Sequence, residues 1–220
     1  MFTALPGSAE AAGGYEMAVW SMDESRGTRW MVDTTGRGHH GRIGPDVGTG
    51  LATGSGRGYR FERREPDTPP ARPGHLVSVA DHADLDPGTR DFAVTVRLRT
   101  THKFGNIIQK GQATVPGGSF KMQIPSGRPT CTYRGSTGTI ELWSPYRIND
   151  GDWHIVRCLR IRDGVALLID GQEVAARAGW TGSIANTWPV TIGGKLDCDQ
   201  IEVGCDYYAG DLDWIMIEAA

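Results

Sequence analysis

A chain of 220 residues with 39% hydrophobic and 22% charged side chains has the composition of an ordinary globule, long enough for one large all-β domain with its own core. A formal net charge of −3 gives no electrostatic basis for general binding to nucleic acid or to an anionic membrane surface. No apolar run approaches the roughly 20 residues needed to span a bilayer, and 31 glycines favour many tight turns over long helices.

Residues 1–14 (MFTALPGSAEAAGG) are small and polar, with no basic segment followed by an apolar one, and read as a flexible start, not an intact signal peptide. Residues 15–220 read as one domain. The stretch 15–24 alternates, placing Ala18, Trp20 and Met22 on one face of a strand. Residues 25–58, rich in Gly, Arg and Thr, have almost no period and are expected to be loop-dominated; 58–61 is a short strand. The proline-rich, charged segment 62–74 is a surface loop, because proline removes backbone donors. Residues 75–80 form a strand, followed by a turn region with one helical turn. In 91–100, Phe92, Val94, Val96 and Leu98 face one way and Ala93, Thr95, Arg97 and Arg99 the other. One dry and one wet face is what an antiparallel sheet in a sandwich requires. Further strands are expected at 106–110, 119–124, 130–133, 139–144, 154–160, 165–169, 174–178, 189–192 and 211–218. Within 150–171 (DGDWHIVRCLRIRDGVALLIDG), Asp-Gly pairs punctuate two strands as hairpin turns do. Short strands without an amphipathic helix of useful length predict an all-β sandwich or barrel.

The cysteines are Cys131, Cys158, Cys198 and Cys205. An even number with no Cys-x-x-Cys pair argues for two disulfides over a zinc site. Cys198 and Cys205 flank a segment short enough to fold back locally, which leaves Cys131 with Cys158. Disulfides persist in oxidising compartments, so secretion is expected.

The pieces AVWSMDE, VDTTGRGHHG, DFAVTVRLRT, NIIQKG, INDGDWHIVRC, ALLIDGQEV, TGSIANTWPVTIGGK and AGDLDWIMIE, in that order over residues 15–219, resemble the laminin-G-like (LamG), concanavalin A-like jelly roll. The cysteine frame followed by CDYYAGDLDW is similar to that of secreted actinobacterial members. The resemblance implies a two-sheet antiparallel β-sandwich whose first and last strands are neighbours. It also implies a set of roles: binding glycans, binding proteins, holding a structural calcium, or serving as a spacer. Fold alone does not choose among them.

Glycoside hydrolases of this shape need two carboxylates across the scissile bond, carried in the glucanase relatives as Glu-x-Asp-x-(x)-Glu along one strand. The nearest run is Asp211-Leu212-Asp213, with no Glu at the required spacing. The lyase relatives' Gln-Ile-His is interrupted, because Gln123-Ile124 is followed by Pro125, and no Gly-x-Ser-x-Gly elbow occurs. No catalytic residue is therefore assigned. If the first and last strands pair, Glu24 and Asp213 meet at the sandwich rim, and Asp33 adds a third carboxylate. Such an oxygen set suits Ca²⁺. Beside it stands the reading in which Glu24 bonds backbone amides or an arginine and Asp213 caps a turn. His39 and His40, adjacent on extended backbone, point apart and read as loop histidines bonding backbone; His154 reads as a buried hydrogen bond fixing strand register. Trp20, Trp153 and Trp214 belong to the core or its margin. A glycan platform would use Trp143, Tyr146 and Trp180 with Asn186 or Asn149, unless these aromatics only plug the sandwich ends. The reading is a secreted, single-domain, non-catalytic recognition module for a glycan or an extracellular protein surface. A jelly-roll glycoside hydrolase or polysaccharide lyase, and a structural spacer, are the alternatives.

Overall fold

The computed structural model describes residues 14–65, 67–113, 115–198 and 204–220. The tail expected at 1–14 lies, but for Gly14, outside the described residues, as does most of the segment between Cys198 and Cys205. In chain order the strands are β1 (Tyr15–Trp20), β2 (Trp30–Met31), β3 (Gly41–Ile43), β4 (Gly48–Ala52), β5 (Arg57–Phe61), β6 (Val77–Val79), β7 (Phe92–Arg99) and β8 (Asn106–Lys110). They continue as β9 (Ser119–Gln123), β10 (Thr130–Arg134), β11 (Thr139–Trp143), β12 (His154–Ile161), β13 (Gly164–Ile169), β14 (Gln172–Ala178), β15 (Val190–Ile192) and β16 (Gly210–Ala219). Among the described residues the helical segments are 3-10 turns at Pro73–His75, Ala83–Leu85 and Pro125–Gly127, and no helix is long and apolar enough to cross a membrane.

Two eight-stranded antiparallel sheets result. The first runs β14-β13-β12-β7-β16-β5-β4, with β1 beside the second half of β16; the second runs β11-β10-β9-β8-β15-β6-β3-β2. The first and last strands do pair, with Trp20 opposite Ile215 and Tyr15 opposite Ala219. Strand β7 sits centrally, between β12 and β16, and its alternation decides what is buried: Val94, Val96 and Leu98 enter the core while Arg97 and Arg99 face out. Trp20, Ile215 and Ile217 join them from the first sheet, and Val77, Ile108, Met122, Tyr133 and Ile192 come from the second. The Phe92 and Phe120 rings meet across the interlayer with centroids 5.3 Å apart. Both expected disulfides form. Cys131–Cys158 ties β10 to β12, one sheet to the other, and Cys198–Cys205 closes a loop after β15.

Local chemistry sets the boundaries. The β13–β14 hairpin turns on Asp170 and Gly171, with φ of 51° and 79°; positive φ at both central residues is the type I′ geometry that matches strand twist. Strand β1 ends at Trp20, earlier than alternation suggests, because Met22 takes a φ of 55° and turns the chain. The stretch 25–58, expected to be loop-dominated, contains β2, β3, β4 and the start of β5. Strands of two and three residues cannot display a period. At Gly44, an added Cβ would lie 2.2 Å from the Gly74 carbonyl oxygen, so the close passage of these two backbone turns requires glycine.

His154 is less secluded than expected. Its Nδ1 lies 2.8 Å from Asp170 Oδ2 and its Nε2 3.2 Å from Asp150 Oδ1. Burial alone would lower its pKa, but the hydrogen bonds and charges of Asp170 and Asp150 outweigh burial and hold it above the usual imidazole value. A folded pKa above the unfolded one means the stabilisation is complete below the unfolded value and is lost as pH rises through the folded one. The melting-temperature advantage of the wild type over His154→Gln should therefore shrink between about pH 5 and about pH 8. An advantage that stayed constant across that range would show that no charged bridge forms.

Candidate functional site

The three carboxylates expected at a shared rim each have their own donors. Asp33, bridged antiparallel to Trp20, accepts hydrogen bonds from Val19 N (3.2 Å), Thr35 N (3.0 Å), Thr35 Oγ1 (2.8 Å) and His39 N (3.0 Å). Burial pushes its pKa up, but the bonds from Thr35, Val19 and His39 prevail and hold the carboxyl below its usual range. Glu24 accepts from Val32 N (2.7 Å) and from Tyr59 Oη (2.5 Å); burial and that carboxylate push the Tyr59 hydroxyl well up, so it stays a neutral donor. Asp213 accepts from Thr53 Oγ1 (2.7 Å) and Ser55 Oγ (2.9 Å) and pairs with Arg97. A register shift between Leu212 and Trp214 explains this last arrangement: the bulge breaks the parity of β16, so Asp213 joins Arg97 and does not follow Ile215 inward. Among the described residues, the group of metal-ligating side chains whose atoms lie within 4.8 Å of one another is instead His39, His82 and Asp84.

The expected aromatic platform is divided. Trp143 and Tyr146, 49% and 63% exposed, lie at the end of β11 and in the loop beyond, and Trp143 Nε1 donates to Glu141 (2.6 Å). Trp180 is at the other end of that strand. Its carbonyl accepts from Thr137 Oγ1, two residues before β11, and its ring lies under the Arg160 guanidinium at 5.1 Å. From Thr139 to Trp143 is roughly 14 Å of extended chain, too far for the two indoles to form one surface. Asn186 is buried, its Nδ2 donating to Gly118 O and its Oδ1 accepting from Trp188 N, and Asn149 reaches Thr101 O.

A different aromatic stands over a groove. Register across the second sheet aligns Trp30, Arg42, Ser78, Thr191, Gln109, Lys121, Thr132 and Glu141 in one row on the face away from the core. Segment 193–198 folds back over the middle of that row: Thr191 Oγ1 donates to Gly194 O (3.0 Å) and Gln112 Nε2 to Asp197 O (3.1 Å). Between this cover and the β2 edge lies a groove of about 830 Å³ lined by Trp30, Arg42, Ile43, Ser78, Leu196 and the Gly44–Pro45 and Pro73–Gly74 turns. Trp30 is 51% exposed and its ring is braced by His40 at 5.6 Å. His40 is in turn fixed by the bond from Asp33 N to its Nδ1 (3.0 Å). Arg29 donates to Gly44 O (3.3 Å) and Pro45 O (3.2 Å) and holds the floor. Arg42 is exposed and has no ion-pair partner among the described residues. Sequence reasoning missed Trp30 because Trp30 out, Met31 in, Val32 out, Asp33 in is an alternation only four residues long.

A family model described as Concanavalin A-like lectin/glucanases superfamily (Laminin_G_3) matches residues 74–218. The chain belongs to this superfamily. No curated protein sequence matches it. Among solved structures, domain 4 of AbnA, a GH43 extracellular arabinanase from Geobacillus stearothermophilus, in complex with arabinotriose, is similar over 94% of this chain and 93% of that one, with a TM-score of 0.69 and 14% identity. The binding domain of botulinum neurotoxin serotype G is similar over 93% of this chain at 14% identity, with a TM-score of 0.62. Domains LG4-5 of the mouse laminin α1 chain are similar over 60% at 19% identity, with a TM-score of 0.53. The chain spans 46% of the neurotoxin structure and 37% of the laminin one. These likenesses show the superfamily fold. Within it, the nearest approach to a run of acids, Asp211 and Asp213, is held by arginines: Asp211 by Arg60 (2.8 Å) and Arg99 (2.6 Å), Asp213 by Arg97.

Proposed function

We propose that the chain is a non-catalytic, extracellular recognition module that holds a glycan in the Trp30 groove. The observation carrying this reading is the placing of a half-exposed indole beside a guanidinium with no ion-pair partner among the described residues and a serine, all on one sheet face. An aromatic face packs on the apolar side of a pyranose or furanose ring while planar and hydroxyl groups read its hydroxyls. Two disulfides support an oxidising compartment. That a domain of this fold and extent was solved with arabinotriose makes short glycans the first ligands to test, ahead of extracellular protein surfaces.

The test is a polysaccharide panel scored by retention and by release of reducing ends. Trp30→Ala should weaken retention about tenfold or more with an unchanged melt, and Trp143→Ala should leave it intact. Loss with Trp143→Ala alone would move the site to the β11 edge. Release of reducing ends would replace this reading with an enzyme, and retention of nothing would leave the spacer. Calcium enters as a loop stiffener only where Asp33 or Glu24 exchanges its present hydrogen bonds for an ion. A melting temperature raised by millimolar calcium carries that part, and an unchanged melt removes it.

A further inference from the structure

We infer that His39, His82 and Asp84 form a binding site for a divalent transition-metal ion of the zinc class, independent of the glycan groove. His39 Nε2 lies 3.2 Å from Asp84 Oδ2, and His82 Nδ1 lies 3.7 Å from the same oxygen. One ligand atom from each of the three falls within 4.8 Å of the others. Ligands around tetrahedral zinc at bonds of about 2.0 Å stand roughly 3.3 Å apart, so small side-chain rotations convert this cluster into a coordination shell. Two imidazoles and one carboxylate select zinc, nickel or copper over calcium and magnesium, which prefer oxygen.

The cluster is supported from behind. The His39 backbone is clamped on both sides, its N–H donating to Asp33 Oδ2 (3.0 Å) and its carbonyl accepting from buried Trp20 Nε1 (2.7 Å). The His39 ring is buried, and the His82 ring lies against it with centroids 4.6 Å apart. Asp84 belongs to the 3-10 turn Ala83–Leu85, and Arg90 Nη2 donates to its carbonyl (3.2 Å). Backbone held in this way fixes where the donor atoms point, as outer partners do in metal sites. The ion would clip the turn between β2 and β3 to the loop between β6 and β7, joining residues 45 apart in sequence, and closing so long a loop favours the folded chain. Three protein ligands leave a fourth position for water. Arg37, whose Nη1 is 3.6 Å from Asp84 Oδ2, is the resident competitor.

The experiment titrates the untagged, metal-free 220-residue chain with zinc chloride against a chromophoric chelator and records melting curves and the visible absorption of the cobalt form. The expected result is one equivalent of tight zinc, a raised melting temperature and tetrahedral cobalt bands, with none of these from calcium or magnesium. His82→Ala and Asp84→Asn should each weaken zinc at least about tenfold, with the zinc-induced rise in melting temperature read against each variant's own metal-free melt. Arg37→Ala should tighten zinc binding, and His154→Ala should leave zinc affinity unchanged. Zinc affinity undiminished in both His82→Ala and Asp84→Asn, or lost in His154→Ala instead, would overturn the site, as would no binding at all.

Discussion

Replacing Lys110 with methionine is expected to lower the free energy of unfolding by about 3–5 kcal/mol, the usual result of removing one partner from a buried ion pair. Lys110 shares the inward parity of Ile108 on β8 and is fully buried. Its ammonium lies 2.7 Å from Asp81 Oδ1, 2.7 Å from Asp86 Oδ1 and 2.5 Å from Asn186 O. Those three contacts use all its protons and tie the loop before β7 to the segment before β15. Methionine fills the stem's volume and leaves the Asp86 carboxyl, only 14% exposed, without its cationic partner. Urea unfolding should show a lower midpoint at an unchanged slope. Adding Asp86→Asn to Lys110→Met should return part of the loss, because the stranded charge goes with its partner. Asp81 is 36% exposed, so the burden falls on Asp86; a loss under about 1 kcal/mol, the range of exposed pairs, would mean that solvent relieves Asp86 as well, and the buried-pair account would fail.

The parts of the fold legible in the chain are those where one residue pattern runs long enough to be counted. Eight residues of β7 and the second half of β16, from Ile215 to Ala219, declare their buried face, and Asp170-Gly171 declares its turn. Parity also predicts that His39 and His40 diverge, and they do: His40 takes Asp33 N and the Trp30 ring, while His39 turns to Asp84. What parity cannot carry is a defect in itself. The bulge at Asp213 sends that carboxylate to Arg97, a single-residue event with no compositional mark. Nor does spacing reveal meetings made by sheet order. Trp30, Arg42 and Ser78 become neighbours only because β2, β3 and β6 line up at one edge. His82 reaches His39 only because the 81–86 loop packs beside the turn before β3. Candidate sites were therefore less readable than the scaffold: a strand repeats its own signal, whereas a site is written once in each of several distant segments.

The two disulfides should differ in what their loss does. Cys131–Cys158 closes a separation of 27 residues, for which chain entropy gives about 3–4 kcal/mol; Cys198–Cys205 closes 7, for about 2.5 kcal/mol by the same arithmetic. The longer bridge also passes through the interlayer, where both sulfurs are buried and Tyr133 Oη donates to Cys158 O (3.0 Å), so alanines there leave a cavity as well. The Cys131→Ala/Cys158→Ala protein should thus lose at least about 1 kcal/mol more than the Cys198→Ala/Cys205→Ala protein. The shorter bridge is anchored in the segment that covers the second sheet and carries Leu196 into the Trp30 groove. Its removal should weaken glycan retention more than it lowers the melting temperature. Paired urea curves and retention assays on the two double variants read both quantities. The opposite order of stability would show that the interlayer holds without its covalent tie. Unimpaired retention in the Cys198→Ala/Cys205→Ala protein would separate the covering segment from the groove's function.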